Sequence, residues 1–255
     1  MEFEFYDFRK LCRSDEIDLI FPDWIGSDER VAVFSPHDDD AVLGAAYAIL
    51  ASQAYEAQVF VFIFCDGRAG YSTVAERETI VERRKKETVA AYGKLGIPEE
   101  NILRYDYPDF SLSPNIGWRL PSGKEGTFHQ TLPDLRRLGI TRLLLPTGYR
   151  EHADHEATSR IGAFDGPQVG DDILADWGHA RPIRSFMEYA VWGDFSPEDA
   201  LVSGANLGVR GNCAIVASAK VEARVAEALA EFKSQQRVIA DLLRRRKERQ
   251  HVRKS

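Results

Sequence analysis

The sequence predicts an α/β fold built on a mainly parallel sheet, and three observations carry that prediction. Short runs rich in β-branched and aromatic residues alternate with helical segments along the chain, the pattern of parallel strands joined by crossover helices. One run, QVFVFIFC over 58–65, is apolar nearly throughout, as expected of an internal strand covered on both faces. Two other runs empty directly into clusters of histidine and aspartate. Open α/β sheets hold their ligands beyond the carboxyl ends of the strands, so both clusters fall where such a fold keeps its chemistry.

In chain order, residues 1–30 read as an irregular lead-in whose apolar side chains (Phe3, Phe5, Phe8, Leu19, Ile20) suit packing on a sheet edge. A first strand follows over 31–34, broken at Ser35-Pro36, and a first helix over 41–50. The 58–65 strand ends in the glycine-punctuated loop Asp66-Gly67-Arg68-Ala69-Gly70. Residues 73–95 are predicted as a long helix that Gly96 and Pro98 stop. Its charged positions, Arg84 and Glu87 among them, are expected to pair along a solvated face. A third strand is placed at 101–105. The irregular stretch 111–127, with Trp118 inside it, reads as either disordered or a substrate-facing lid, the aromatics favouring the lid. A helix over 132–138 and a strand over 142–147 lead to a helix from 154 to 164. Later strands are expected at 183–191 and 213–216, and one amphipathic helix over 220–249. The whole of 1–255 reads as a single domain.

The first cluster is His37-Asp38-Asp39-Asp40, immediately after the first strand. Three adjacent carboxylates repel one another, and a helix N-terminus offsets that by only about 1 kcal/mol. A bound cation is the larger compensation; a solvated acidic turn is the alternative. The second cluster, His152-Ala153-Asp154-His155, again follows a strand and holds two of the six histidines. Two independent strand-end clusters, each with His and Asp, favour the cation.

Composition narrows the setting. The chain has 44% hydrophobic and 29% charged residues, as globular proteins do. Cys12, Cys65 and Cys213 lie far apart without zinc-finger or redox spacing, which suggests reduced thiols and a cytoplasmic location. The acidic, aromatic N-terminus is unlike a signal peptide, and no apolar run is long enough for a membrane span. Net charge is −7, unevenly spread: the basic tail 242–255 carries seven Lys/Arg against one Glu, leaving 26 basic and 39 acidic side chains elsewhere. An acidic body of net −13 repels polyanions, so nucleic acid is not expected as a partner. The long last helix offers a surface for a homo-oligomer.

With these residues in place, the chain resembles the LmbE/PIG-L family of zinc-dependent N-deacetylases. The resemblance rests on His37-x-Asp39-Asp40, the later His152-x-Asp154-His155, Gly44, the Asp66-Gly67-x-x-Gly70 turn, Arg84-x-x-Glu87 and Ser234-Gln235, and spans about 31–243. It implies a Rossmann-like sheet with helices on both faces, and Zn2+ held by His37, Asp40 and His155. It further implies Asp39 as general base, and His152, held by Asp154, as the group that stabilises the oxyanion. The implied reaction removes an N-acetyl group from an amino sugar or glycoconjugate, a small-molecule substrate. A zinc amidase for a larger acyl amide, a magnesium phosphohydrolase and a non-catalytic sugar- or partner-binding member of the same fold are the alternatives. Three positions depart from the family. Ala41 stands where many members have Glu, a variation that touches no ligand. Asp38 replaces a residue that is often Pro or aliphatic, and is expected to face solvent, the alternative being a second cation. Arg150 stands where some members have Tyr, with Tyr149 one place off; it suits an anionic group on the substrate. Arg68 and Asp109, in loops at the same edge, are further substrate-binding candidates.

Overall fold

A computed structural model describes residues 2–148, 151–192 and 211–252, the side chains of 245–252 excepted. Its central strand is β3 (Arg30–Ser35), whose side chains alternate between two apolar layers. Val31 and Val33 pack into one layer with helices α2 (Ala46–Ala54), α3 (Ile80–Lys94) and α6 (Ala219–Glu231). Ala32 and Phe34 enter the other, against α4 (Phe128–Arg137) and α5 (Ala153–Gln168). The second layer is aromatic: the Phe34 ring lies 4.9 Å from Phe64 and 5.3 Å from Phe62. Each buried phenylalanine contributes about 2–3 kcal/mol through area removed from water.

β4 (Gln58–Cys65) and β6 (Arg142–Pro146) flank β3, and β5 (Ile102–Tyr107) and β7 (Ser185–Tyr189) form the edges, giving the order β5-β4-β3-β6-β7 with every neighbouring pair parallel. The predicted α/β architecture, with helices on both faces, is therefore the one observed. The chain runs outward from β3 through β4 to β5, then crosses to β6 on the other side of β3. That reversal opens a crevice between the ends of β3 and β6, where doubly wound folds bind ligands. Both histidine clusters begin there.

Three expectations are corrected. The lead-in contains β1 (Phe3–Asp7) and β2 (Cys12–Ser14), which pair antiparallel with each other, and β1 also pairs with β8 (Cys213–Ala217), in a separate three-stranded sheet. The two-residue alternation of buried Phe3, Phe5 and Asp7 is the strand signature. The first helix is broken into α1 (Asp40–Gly44) and α2, because Gly44 packs against β7: a Cβ there would fall 2.5 Å from Tyr189 Cδ2 and 2.6 Å from the Ala190 carbonyl oxygen. The single C-terminal helix is α6 followed by α7 (Gln236–Val252), interrupted at the buried Phe232. The interruption places Ser234 and Gln235 in a short 3₁₀ turn that reaches back to α3 and the Gly70 loop.

Stretch 111–127 is folded rather than open. Leu112 is fully buried in the aromatic layer, Ser113–Asn115 forms a 3₁₀ turn, and Arg119 pairs with Glu125 in an isolated bridge. Trp118 stays half exposed against Trp177, ring centroids 5.7 Å apart. No helix among the described residues is long and apolar enough to cross a membrane.

Candidate metal centre

The turn after β3 is shaped by its own side chains. Ser35 Oγ donates to the His37 carbonyl at 2.6 Å and accepts from the Ala41 N–H at 3.1 Å, while Asp40 Oδ2 accepts from the His37 N–H at 2.9 Å. These bonds bend the chain so that the His37 ring and the Asp40 carboxylate share one side. Across the crevice, His155 lies in the first turn of α5, fully buried. Asp40 Oδ2 stands 3.1 Å from both His37 Nδ1 and His155 Nε2.

These groups suit a divalent cation. One donor atom from each of His37, Asp40 and His155 lies within 4.8 Å of the other two. Buried His155 Nε2 makes no well-formed hydrogen bond but lies at ion-pair distance, 3.1 Å, from Asp40 Oδ2, so two polar atoms converge where a cation would satisfy both. Its Nδ1 is engaged at 3.0 Å by Glu151 Oε2, and His37 Nε2 is engaged at 3.2 Å by Asp154 Oδ2. Carboxylates on the outer nitrogens of metal-binding histidines fix tautomer and orientation. Burial pushes both rings toward neutrality, yet Asp154 and Asp40 carry His37 up to about 10, and Asp40 and Glu151 carry His155 up to about 9. The cluster prefers positive charge at this spot. Two imidazoles and one carboxylate make a donor set suited to zinc, with coordination room left over.

Two other groups share His37, one with His152 and Asp154 and one with Cys65 and Asp109. Both fit less well. Burial pushes the Cys65 thiol up. Both Asp109 oxygens are occupied, accepting from the Gly67 N–H at 2.9 Å and the Ala69 N–H at 2.8 Å. His152 Nδ1 accepts from the Asp154 N–H at 3.1 Å.

The remaining predicted residues fall around this centre. Asp39 is nearly buried, its Oδ1 accepting from Arg84 Nη2 at 2.9 Å; burial raises its carboxyl against the pull of Arg84. His152 caps α5, and burial together with the His37 charge lowers its ring below the usual histidine range. Asp154 meets His152 through its backbone N–H, with its carboxylate at ion-pair distance. That carboxylate bonds His37 and the Phe110 N–H (2.7 Å) and stands 3.7 Å from His152 Nδ1, which is already an acceptor. Arg68 lies at the rim, more than half exposed, its guanidinium on Asp66 at 2.6–2.7 Å. Arg150 and Tyr149 lie outside the described residues.

Asp38 does not face solvent, and this too is a correction. It is fully buried and accepts from Arg84 Nε (2.9 Å), Thr88 Oγ1 (2.6 Å) and Arg104 Nη1. Arg84 and Glu87 are correspondingly buried, not on a solvated face. Glu87 receives the Ser234 hydroxyl at 2.6 Å, and Gln235 donates to the Gly70 carbonyl at 2.8 Å. Gly67, at φ +74°, has no room for a Cβ, which would meet Arg84 Nε at 2.5 Å. The scattered matches of the sequence thus converge on one network behind Asp39.

Sequence reasoning missed Glu151, the side chain on His155. The signal was present as a glutamate four residues before a histidine at a helix start, the spacing of one turn. It missed Phe110 as well, a two-thirds exposed ring 4.4 Å from His152, held at φ +59°.

None of the curated proteins matches the chain. Among solved structures it is similar to a conserved protein of Thermus thermophilus, at 20% identity and TM-score 0.64 over 88% of this chain and 87% of that one. It is similar to the N,N'-diacetylchitobiose deacetylase of Pyrococcus horikoshii at 15% identity and TM-score 0.59, over 84% and 75%. It also resembles the 4-carboxy-2-hydroxymuconate hydratase of Pseudomonas putida at 15% identity and TM-score 0.58, over 85% and 83%. At such identities the likeness is one of fold, and a fold hosts more than one chemistry. A family profile described as PIG-L, GlcNAc-PI de-N-acetylase, matches residues 32–163, just over half of the chain and both histidine clusters. The chain belongs to the PIG-L family.

Proposed function

We propose that this protein is a zinc-dependent N-deacetylase that hydrolyses the acetamide of an amino sugar or glycoconjugate. The observation that carries the reading is the convergence of buried His155, Asp40 and His37 donor atoms on one point, with Asp39 and His152 beside it. The family description and the chitobiose deacetylase among the structural relatives support an N-acetylated sugar as substrate.

Zinc held by His37, Asp40 and His155 would supply Lewis acidity and a water reactive near neutral pH. The chain's own residues do the rest. Asp39, held by Arg84, accepts the proton of the attacking water. With Nδ1 taken up as an acceptor, neutral His152 carries its proton on Nε2 and donates toward the carbonyl oxygen as charge develops there. The C–N bond breaks as the proton on Asp39 passes to the departing amine, leaving acetate and a free amine. In this reading Arg68 and Arg150 meet an anionic group of the substrate, and Asp109 serves substrate binding by holding the Gly67–Ala69 loop that carries Arg68.

A second reading, an amidase for a larger acyl group, is favoured by Phe110, whose exposed ring against His152 offers an apolar surface at the reacting centre. One experiment addresses both. Zinc-supplemented protein is incubated with N-acetylglucosamine, N,N'-diacetylchitobiose and longer-chain N-acyl analogues, and the released acid is measured. Acetate release from the sugars, reduced about 10²–10⁴-fold in Asp39→Asn, is the expected result. Release only from the longer acyl analogues would select the second reading, and no release from any substrate would contradict both.

A further inference from the structure

Glu151 is a buried carboxylate with two sets of contacts among the described residues. Its side chain is 4% exposed, and burying a carboxylate costs several kcal/mol unless its oxygens are satisfied. Oε2 meets His155 Nδ1 at 3.0 Å, and Oε1 accepts from the backbone N–H groups of Val191 (3.0 Å) and Trp192 (2.8 Å). The Trp192 ring in turn lies 5.3 Å from His155 and 6.0 Å from His152. One carboxylate therefore joins the first turn of α5 to the chain just past β7.

We propose that Glu151 is a positioning residue of the metal centre, holding the His155 proton on Nδ1 so that Nε2 presents its lone pair toward Asp40 and His37. The inference rests on the metal reading given above. The same carboxylate holds the Trp192 backbone N–H, and the Trp192 ring lies against His155 and His152. His155 is fully buried with a carboxylate at each ring nitrogen; with Asp40 engaged by the metal, the Glu151 acceptor beside Nδ1 would set the tautomer. A neutral amide at position 151 would still accept hydrogen bonds from Val191 and Trp192 but would draw the Nδ1 proton less strongly.

The test uses the full-length protein and zinc alone as probe, with affinity measured by chelator competition and folding followed by thermal melting without metal. Glu151→Gln is expected to bind zinc about 10–100-fold more weakly, whatever its melting midpoint, and Trp192→Phe to bind zinc within about twofold of the parent. A purely structural clamp would lower the midpoint and leave zinc affinity unchanged, and that result would overturn the proposal. Equal weakening in Trp192→Phe would also overturn it, since the effect would then run through the wall and not through His155. If Glu151→Gln does not fold, nitrogen-15 spectra of the zinc-loaded parent decide: a proton on His155 Nδ1 is expected, and a bare Nδ1 would overturn the assignment. A parent that takes up no zinc overturns the metal reading and this inference together, whereas a parent and Glu151→Gln that bind equally tightly overturn this inference alone.

Discussion

Asp38 and Arg84 face each other inside the protein, the arginine Nε donating to the carboxylate Oδ2 at 2.9 Å. Through Nη2 the same guanidinium holds Asp39, so the residue preceding the proposed base neutralises the arginine that positions it. Arg104 adds a second guanidinium to Asp38. Burial alone would raise the Asp38 carboxyl, but Arg84 and Arg104 hold it below the usual carboxylate range.

Removing the Asp38 charge leaves two guanidinium groups with one carboxylate fewer. Breaking a buried pair from one side costs about 3–5 kcal/mol, so Asp38→Asn is expected to lose that much in urea denaturation at neutral pH. A loss under about 1 kcal/mol would show that the network is not stabilised by its charges.

Glu29 and Arg142 form a second buried pair, both 1% exposed or less, bonded in a fork at 2.8 and 3.1 Å and joined by Arg184. They sit where β3 and β6 begin, the opposite end of the sheet from the histidines. Glu29→Gln is therefore expected to destabilise by about 3 kcal/mol and leave zinc affinity within twofold of the parent. A large change in metal binding would contradict the separation of the two ends.

Asp165 gives a pH dependence of defined sign. Burial pushes its carboxyl up to about 6 from 3.8, with only the Thr131 hydroxyl opposing. The folded chain holds this proton more tightly than the unfolded one, so the stability it contributes is complete below about pH 4 and lost as pH rises through about 6. The difference is about 3 kcal/mol. Asp165→Asn should remove that slope and melt at higher temperature than the parent at pH 7.5; identical slopes for the two proteins between pH 4 and 6 would refute it.

Much of the centre was legible because it is local. His37, Asp39 and Asp40 lie in one turn, His152 and His155 in another, and apolar runs before each turn identify the strands that carry them. Strand β4 matches its predicted limits for the same reason: an eight-residue apolar run has few other ways to be buried. What stayed hidden depends on contacts distant in sequence. β1 needs β8, more than 200 residues later, to become an internal strand. Arg84 and Glu87 look like ordinary helical charges until Asp38 and Ser234 arrive from elsewhere. Their positions did carry a signal, since Ile80, Arg84, Glu87, Thr88 and Ala91 form one buried stripe of α3. Charges within an apolar stripe indicate buried ion pairs rather than a solvated face. The break at Phe232 has no marker of Gly or Pro and follows from the pull of Ser234 and Gln235 toward α3.

The central claim is that His37, Asp40 and His155 hold a zinc ion on which Asp39 acts without binding it. The most direct measurement is zinc per chain, after supplementation and desalting, in the parent, His155→Ala and Asp39→Asn. About one zinc in the parent and in Asp39→Asn, with at least tenfold weaker retention in His155→Ala, is the result predicted from the donor set. A parent without zinc, or a His155→Ala variant that retains it as firmly as the parent, would contradict the assignment.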